Sequence, residues 1–357
     1  MTQVRADADA RADRRPPAAP PGVAVVACVR DEEPYLAEAV GSVLAQDYDG
    51  TLQVVLAVGP SHDATAQVAA ALAAADPRVV VLDNPTGSRS VGLNAAMALA
   101  GAADEVLLRV DGHTVLPPDY VRRAVATLER TGAAGVGGLM SPVGTATVQR
   151  AVARAMSHPA GIGAASFHVG GAAGPSETVY LGAFRRTAVE AVGGYDPSLV
   201  RAEDWELCLR LRRAGGLLWF EPALQVTYRP RRTVRAVAKQ FWRTGMWRRE
   251  VIRRDRSTAS VRYLAPPLLV LALGLSALVG VAGALAGLPV LGALGAVLPA
   301  GYVVGVVAAS THAAVRRPRL GLREALVLPL VVATMHLAWG AGFVRGLTAR
   351  AVADHRA

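Results

Sequence analysis

Hydrophobic residues follow two patterns along the chain, and the boundary between them lies near residue 262. Before it, short apolar runs are separated by amphipathic stretches: VAVVACV at 23–29, LQVVLAV at 52–58, RVVVL at 78–82 and EVLLRV at 105–110. These runs are β-rich and lack polar alternation, which predicts strands covered on both faces, as in a parallel sheet. After the first run, Leu36, Ala39, Val40, Val43 and Leu44 recur at helical spacing, with Asp31 as the predicted N-cap and Pro34 inside the first turn. The alternation predicts an α/β domain with a mostly parallel central sheet. Such sheets bind ligands beyond the carboxyl ends of their strands. Polar residues gather at those ends here: Arg30 and Asp31, then 61–65, 84–90 and 111–113.

Past residue 262, no Asp, Glu, Lys or Arg occurs until Arg316. A membrane span needs about 20 residues, so this stretch holds two, and the Gly-Pro step within 286–290 predicts the turn between antiparallel helices. A third run, 325–344, is interrupted by Pro329 and carries His336, which leaves two or three spans over 263–345. Arg253, Arg254, Arg256 and Arg262 precede the first span, and Arg316, Arg317, Arg319 and Arg323 follow the second. Both flanks are therefore expected on the cytoplasmic side. Arg345, Arg350 and Arg356 go against a simple outward placement of the 346–357 tail.

Composition agrees with this division. With 52% hydrophobic and only 18% charged residues, part of the chain is expected in lipid. The formal charge of +10 suits a membrane surface, nucleic acid or phosphorylated ligands alike. Residues 1–22 mix Arg, Asp, Ala and Pro without an apolar stretch, the pattern of a disordered cytoplasmic arm and not of a signal peptide. Cys28 and Cys208 have neither metal-type spacing nor a disulfide framework, as expected of small core residues in a reducing cytosol.

The polar clusters contain no Walker lysine and no G-x-G-x-x-G, so neither an NTPase loop nor a dinucleotide fingerprint is present. In chain order, the pieces resemble the inverting family 2 glycosyltransferases of GT-A fold. Ser61, His62, Asp63, Ala64 and Thr65 match that family's S-T-D-G-T turn. Asn84, Gly87, Gly92 and Asn94 match its Asn/Gly loop, and Asp111 matches the last acid of its D-x-D motif. The segment 179–216, with Glu203 and Asp204, resembles the acceptor-side segment that ends in the Glu-Asp motif. The likeness covers about residues 23–250 and is nearest to membrane-attached exopolysaccharide enzymes of the succinoglycan ExoA type. Two positions depart from the common pattern: Val58 stands where an acid often reads the nucleotide base, and Arg109 where the first D-x-D acid usually sits.

The resemblance implies a donor site formed by Arg30, Glu32, Ser61, Asp63, Asn84, Gly87, Asn94, Arg109 and Asp111. Cleaving a sugar–phosphate bond leaves a nucleoside diphosphate, whose developing charge a divalent ion neutralises. Asp111 is the expected anchor for Mg²⁺ or Mn²⁺, and His113 a second ligand that would favour Mn²⁺. Read as residues alone, the pair could equally end a strand with turn hydrogen bonds. Arg109 is open to three partners: Asp111, a phosphate or a neighbouring strand. Inversion requires a base for the acceptor hydroxyl, and Asp204 is the candidate, with Glu203 orienting the acceptor or the base. Leu207, Leu211 and Ala214 recur behind them at helical spacing, so two acids at a helix N-terminus are also ordinary caps.

Residues 228–256 combine ten arginines and one lysine with Phe241, Trp242 and Trp247. This composition predicts a basic amphipathic segment over 231–262 lying on anionic headgroups. Nucleic acid is the competing partner, and the adjacent spans favour the membrane. Gln240 and Arg243 partly match the Q-x-x-R-W element of polymerising synthases, with Thr244 in place of Trp. Together with Arg248 they are candidates for contacting acceptor or diphosphate.

The predicted arrangement is a GT-A domain over 23–230 followed by transmembrane helices, in a multi-pass cell-membrane protein with its catalytic domain in the cytoplasm. The predicted activity is inverting transfer of a sugar, of hexosyltransferase type, from a nucleotide-sugar donor to a lipid-linked or growing glycan acceptor in polysaccharide biosynthesis. Membrane lipids are expected partners and nucleic acid is not. The alternative is a catalytically silent GT-A-like membrane scaffold that binds nucleotide sugar. A channel or transporter would need an intramembrane charge pathway, which these spans lack.

Overall fold

A computed structural model of the protein describes residues 19–346. Most of the expected N-terminal arm, and the tail beyond residue 346, lie outside the described residues. Strands β1 (Gly22–Val29), β2 (Leu52–Val58), β3 (Val79–Asp83) and β4 (Asp104–Arg109) coincide with the four apolar runs to within a residue. Helices α1 (Leu36–Leu44), α2 (Thr65–Ala75) and α3 (Arg89–Leu99) connect them, and α4 (Tyr120–Thr131) leads to β5 (Gly135–Pro142). Then come α5 (Thr147–Met156), two single turns α6 (Pro159–Ile162) and α7 (Ser166–Val169), and β6 (Gly174–Pro175). The domain continues with β7 (Ala183–Arg185), α8 (Arg186–Ala191), α9 (Glu203–Arg213) and β8 (Leu218–Tyr228).

The eight strands form one sheet in the order β3-β2-β1-β4-β7-β5-β8-β6. β1 to β4 pair in parallel, β5 pairs in parallel with β8, and β7 runs antiparallel between β4 and β5. Period-2 alternation divides β1 between two cores. Val23, Val25, Ala27 and Val29 pack with α1, α2 and α4, while Ala24 and Val26 pack with α3, α8 and α9. A strand buried on both faces has no position for a polar residue, so its sequence reads as an unbroken apolar run. Both cysteines are free: Cys208 is fully buried in the second core and Cys28 lies partly buried against it.

Helix α1 begins later than its pattern suggests. Asp31 is not its cap: the residue takes a left-handed φ of 56°, and Glu32 to Tyr35 form a separate turn before Leu36. The Asp31 carboxylate instead accepts a hydrogen bond from His62 N at 2.7 Å.

Four long helices follow the sheet: α10 (Val234–Arg254), α11 (Val261–Leu285), α12 (Pro289–Val315) and α13 (Leu322–Arg345). The last three are each long and apolar enough to cross a membrane. The α11–α12 turn falls at the expected Gly-Pro step, and the run containing Pro329 and His336 is one continuous helix. Helix α10 carries the arginine-rich segment, yet Val237 and Phe241 join a core with α5, α12 and α13, and Trp247 is also buried. Of its three large aromatics, Trp242 alone is exposed, so the others turn to the protein and not to a surface. Gly245 and Gly342 allow the close crossing of α10 and α13: a Cβ on either would lie 2.1 Å from a carbonyl oxygen of the facing helix.

Candidate active site

The loops beyond β1 and β2 are tied together residue by residue. Asp31 N donates to Ser61 Oγ at 3.2 Å, Glu32 N to Thr65 Oγ1 at 2.7 Å and Glu33 N to Asp63 Oδ2 at 3.1 Å. Ala64 N donates back to Glu33 Oε2 at 3.0 Å. The second Asp63 oxygen accepts from Thr65 N and from its hydroxyl, and these bonds hold the Asp63 carboxyl below its usual range. Ser61 and Asp63 thus hold the two loops together with the same atoms that a direct ligand contact would need. The two asparagines are similarly engaged. Asn84 donates to Ser88 O at 3.0 Å, and Asn94 brackets Tyr195 by donating to its carbonyl and accepting from its N–H, both at 2.8 Å. Gly87 has φ 60°, a left-handed conformation that favours glycine, and faces the exposed Arg30 guanidinium.

At the end of β4, residues 111–114 form a turn in which Thr114 N donates to Asp111 O and Asp111 N to Thr114 Oγ1. Gly112 is needed because a Cβ there would approach Glu32 Cγ to 2.9 Å. The turn uses only the main chain of Asp111 and leaves its carboxylate for another purpose. Burial alone would raise the Asp111 pKa, but Arg109, Arg89 and His113 outweigh it and bring it to about 2. His113 Nδ1 lies 2.8 Å from Glu32 Oε1. Burial opposes protonation of His113, yet Glu32 and Asp111 lift its pKa above the usual value. Glu32 therefore orients His113, and Nε2 is the ring nitrogen left for any further contact.

Among the described residues, no three His, Cys, Asp or Glu side chains converge as a metal cluster. A Mg²⁺ or Mn²⁺ ion carried by a diphosphate does not need one, because phosphate oxygens and water complete its shell around a single carboxylate. Asp111, whose carboxyl Arg109, Arg89 and His113 hold below its usual range, supplies that carboxylate.

Across the cleft, Glu203 and Asp204 open α9 as the spacing suggested, but their surroundings differ sharply. Glu203 is 3% exposed. Its Oε1 lies 3.2 Å from Arg109 Nη2 and 3.5 Å from Arg89 Nη1. Asp204 has no ion pair among the described residues; Oδ1 accepts from Trp205 N at 2.7 Å, and the side chain lines a cavity of about 560 Å³. The cavity runs from Arg89 and Arg201 beside the acids to Pro266, Met335 and Trp339 on α11 and α13.

Gln240 and Arg248 also line it, whereas Arg243 is exposed outside. Gln240 donates to Tyr228 Oη and accepts from Arg231 Nε, both at 3.3 Å. The Arg248 guanidinium lies 3.9 Å from the Tyr263 ring centroid and 4.7 Å from that of Trp205. It has no carboxylate partner among the described residues, its Nη1 is buried without a hydrogen bond, and burial lowers its pKa.

Three contributors escaped the sequence reading. Arg89 was visible as the cation inside the 84–90 cluster, but nothing in the sequence linked it to Glu203, more than a hundred residues away. Trp205 and Tyr263 sandwich Arg248 from segments with no shared pattern.

Residues 20–246 match the model of the glycosyltransferase-like family 2. The chain is 35% identical over 297 residues to the succinoglycan biosynthesis protein ExoA of Rhizobium meliloti, a match covering 83% of this chain and 86% of that one. Among solved structures, a mannosyltransferase from Pyrobaculum calidifontis, determined with GDP-Man and Mn²⁺, covers 96% of this chain and 94% of its own at 17% identity and TM-score 0.57. That likeness carries the GT-A fold, and the sequence match carries the family: the chain belongs to glycosyltransferase family 2 and is a glycosyltransferase.

Proposed function

We propose that the protein transfers a sugar, with inversion, from a nucleotide-sugar donor to a lipid-linked or growing glycan acceptor at the cytoplasmic face of the membrane. A role in exopolysaccharide assembly is supported by the similarity to the succinoglycan biosynthesis protein. The observation that carries the reading is the junction of two sites. One guanidinium nitrogen of Arg109 touches both Asp111, on the donor side, and Glu203, next to the acid that borders the cavity.

The donor lies over the carboxyl ends of β1, β2 and β4, with Arg30 free to meet it and the laced 31–33 and 61–65 loops forming its wall. Asp111, with His113 beside it, would hold Mg²⁺ or Mn²⁺. Such an ion supplies charge neutralisation of the departing diphosphate. Asp204 accepts the proton of the acceptor hydroxyl as that oxygen bonds to the anomeric carbon and the carbon–phosphate oxygen bond breaks. Glu203 fixes the first turn of α9 so that Asp204 faces the acceptor. Gln240 and Arg248, which has no carboxylate partner among the described residues, contact the acceptor within the cavity, and Arg243 stands at its basic exterior. Apolar residues of α11 and α13 at the far end suit an acceptor tethered to lipid.

A donor screen tests this reading. Thermal stabilisation of the purified full chain by one class of UDP-, GDP- or dTDP-sugar, strengthened by Mg²⁺ or Mn²⁺, is expected, because a ligand specific to the folded state raises stability with the logarithm of its concentration. Slow hydrolysis of the same donor separates an enzyme from a silent scaffold. Absence of both stabilisation and hydrolysis across the three classes would contradict the proposal.

A further inference from the structure

Where the family pattern has an acid, this chain has Arg109, and its surroundings are unusual for an arginine. The side chain is 6% exposed. Nη2 lies 3.4 Å from Asp111 Oδ1 and 3.2 Å from Glu203 Oε1, while Nε is buried with no hydrogen-bond partner. Both contacts are longer than the roughly 2.7–2.9 Å of a well-made charge-assisted hydrogen bond. The guanidinium is thus shared between two carboxylates and fully engaged with neither.

The two acids do not depend on it equally. Arg109 is the one cation within 4 Å of Asp111 among the described residues, with Arg89 and His113 acting on it from farther away, whereas Glu203 has Arg89 as a second close partner. Helix α9 starts after Ala202, in a left-handed conformation at φ 64°, and has no side-chain N-cap bond. Glu203's ion pairs with Arg109 and Arg89 therefore anchor the helical turn that carries Asp204.

We propose that Arg109 is a positioning residue that couples the two halves of the site. It lies between Asp111 and Glu203; a divalent cation held by Asp111 would shift it wholly onto Glu203 and so fix the turn bearing Asp204. A cation on Asp111 would compete with the guanidinium for the carboxylate and repel it, and Glu203 is the acid within reach. Donor binding then prepares the acceptor side, which favours an ordered reaction and limits loss of the donor to water. The inference rests on Asp111 as the ion anchor and Asp204 as the base.

Two variants of the full-length, detergent-solubilised protein shift the equilibrium in opposite directions. The probe is Mn²⁺ in the presence of a saturating nucleoside diphosphate (UDP, GDP or dTDP, whichever stabilises the wild type), its binding read by water-proton relaxation. Arg109→Gln removes the competitor at Asp111, so Mn²⁺ should bind about 5-fold more tightly or better, on the scale of a typical coupling between sites. Glu203→Gln leaves Arg109 with Asp111 alone, so Mn²⁺ should bind more weakly by a similar factor. Sugar transfer by Arg109→Gln should fall in kcat by at least about 10² with no rise in donor KM, and Arg109→Lys should recover part of it.

A purely structural arginine would move donor KM and thermal stability together and leave Mn²⁺ affinity alone. Equal Mn²⁺ affinities in the wild type and Glu203→Gln, or shifts of the same sign in both variants, would overturn the coupling. Should Arg109→Gln not fold, Glu203→Gln decides by itself, since unchanged or tighter Mn²⁺ binding there overturns the proposal. Mn²⁺ binding to Asp111→Ala as strong as to the wild type would instead overturn the ion anchor, and the coupling with it.

Discussion

Glu203 and Asp204 are adjacent in the chain and hold different chemistry because of what surrounds each. Glu203 is buried beside Arg109 and Arg89, whereas Asp204 has no ion pair among the described residues and borders the cavity. Sequence spacing identified the pair and the helix they open, but their division of labour depends on Arg89 and Arg109, which come from elsewhere in the chain. Asp111 is the matching case on the donor side. Asp111→Ala is expected to abolish divalent-dependent turnover, and full activity of the wild type in EDTA would contradict that role. Arg248 gives a sharper test. An unpaired buried charge destabilises a fold, and an apolar side chain of similar volume removes that cost. Arg248→Met loses the stacking on Tyr263 and Trp205 along with the buried charge, so the melting temperature should change little, donor affinity should stay unchanged, and the acceptor KM should rise about tenfold or more. Unchanged acceptor kinetics, measured at saturating donor, would remove Arg248 from the acceptor site.

At the scale of elements, legibility followed the continuity of the apolar run. β1 to β4 are unbroken β-rich runs and read directly from the sequence, while β5 and β8 did not. GVGGLMSP in β5 has glycines where a strand pattern needs side chains, and the structure gives the reason: a Cβ on Gly138 would lie 1.6 Å from Leu224 O. The glycines that hide the strand permit the close approach of β8, across a register shift between Gly137 and Leu139. Helix α10 was legible as basic and amphipathic, but the destination of its apolar face was not. Arginine content suggested a surface, whereas the close Gly245 and Gly342 contacts press that face onto α13. Gly245→Val should force the helices apart at an overpacking cost of about 1–3 kcal/mol. A melting temperature equal to that of the wild type would show that the crossing is looser than described.

Over the whole molecule, the catalytic domain and the apolar helices are joined by more than their covalent link. Arg150 and Arg154 of α5 reach the α12–α13 connection: Arg150 Nε donates to Glu324 Oε1 at 2.9 Å, and Arg154 Nη1 to the carbonyls of Ala313 and Arg316 at 2.7 and 3.1 Å. If α11 to α13 span the membrane, this connection lies on the same side as the catalytic domain, and the α11–α12 turn lies opposite. The arginine bias around 253–262 and 316–323 supports the proposed cytoplasmic placement of the first side. An impermeant maleimide should label Arg319→Cys in inside-out vesicles and Leu288→Cys in right-side-out ones. The reverse pattern would contradict the proposed cytoplasmic placement of the catalytic domain.

The proposal as a whole stands on Asp204 as the base that completes a site begun by Asp111, and one variant addresses that directly. Asp204→Asn keeps the side-chain size and the capacity to cap a helix, but it cannot take up a proton at neutral pH. Single-turnover transfer, measured with donor bound at saturation, is expected to fall by about 10² to 10⁴ while donor affinity and melting temperature stay at wild-type values. Transfer by Asp204→Asn at a rate near that of the wild type would contradict the assignment and leave α9 with an ordinary acidic first turn.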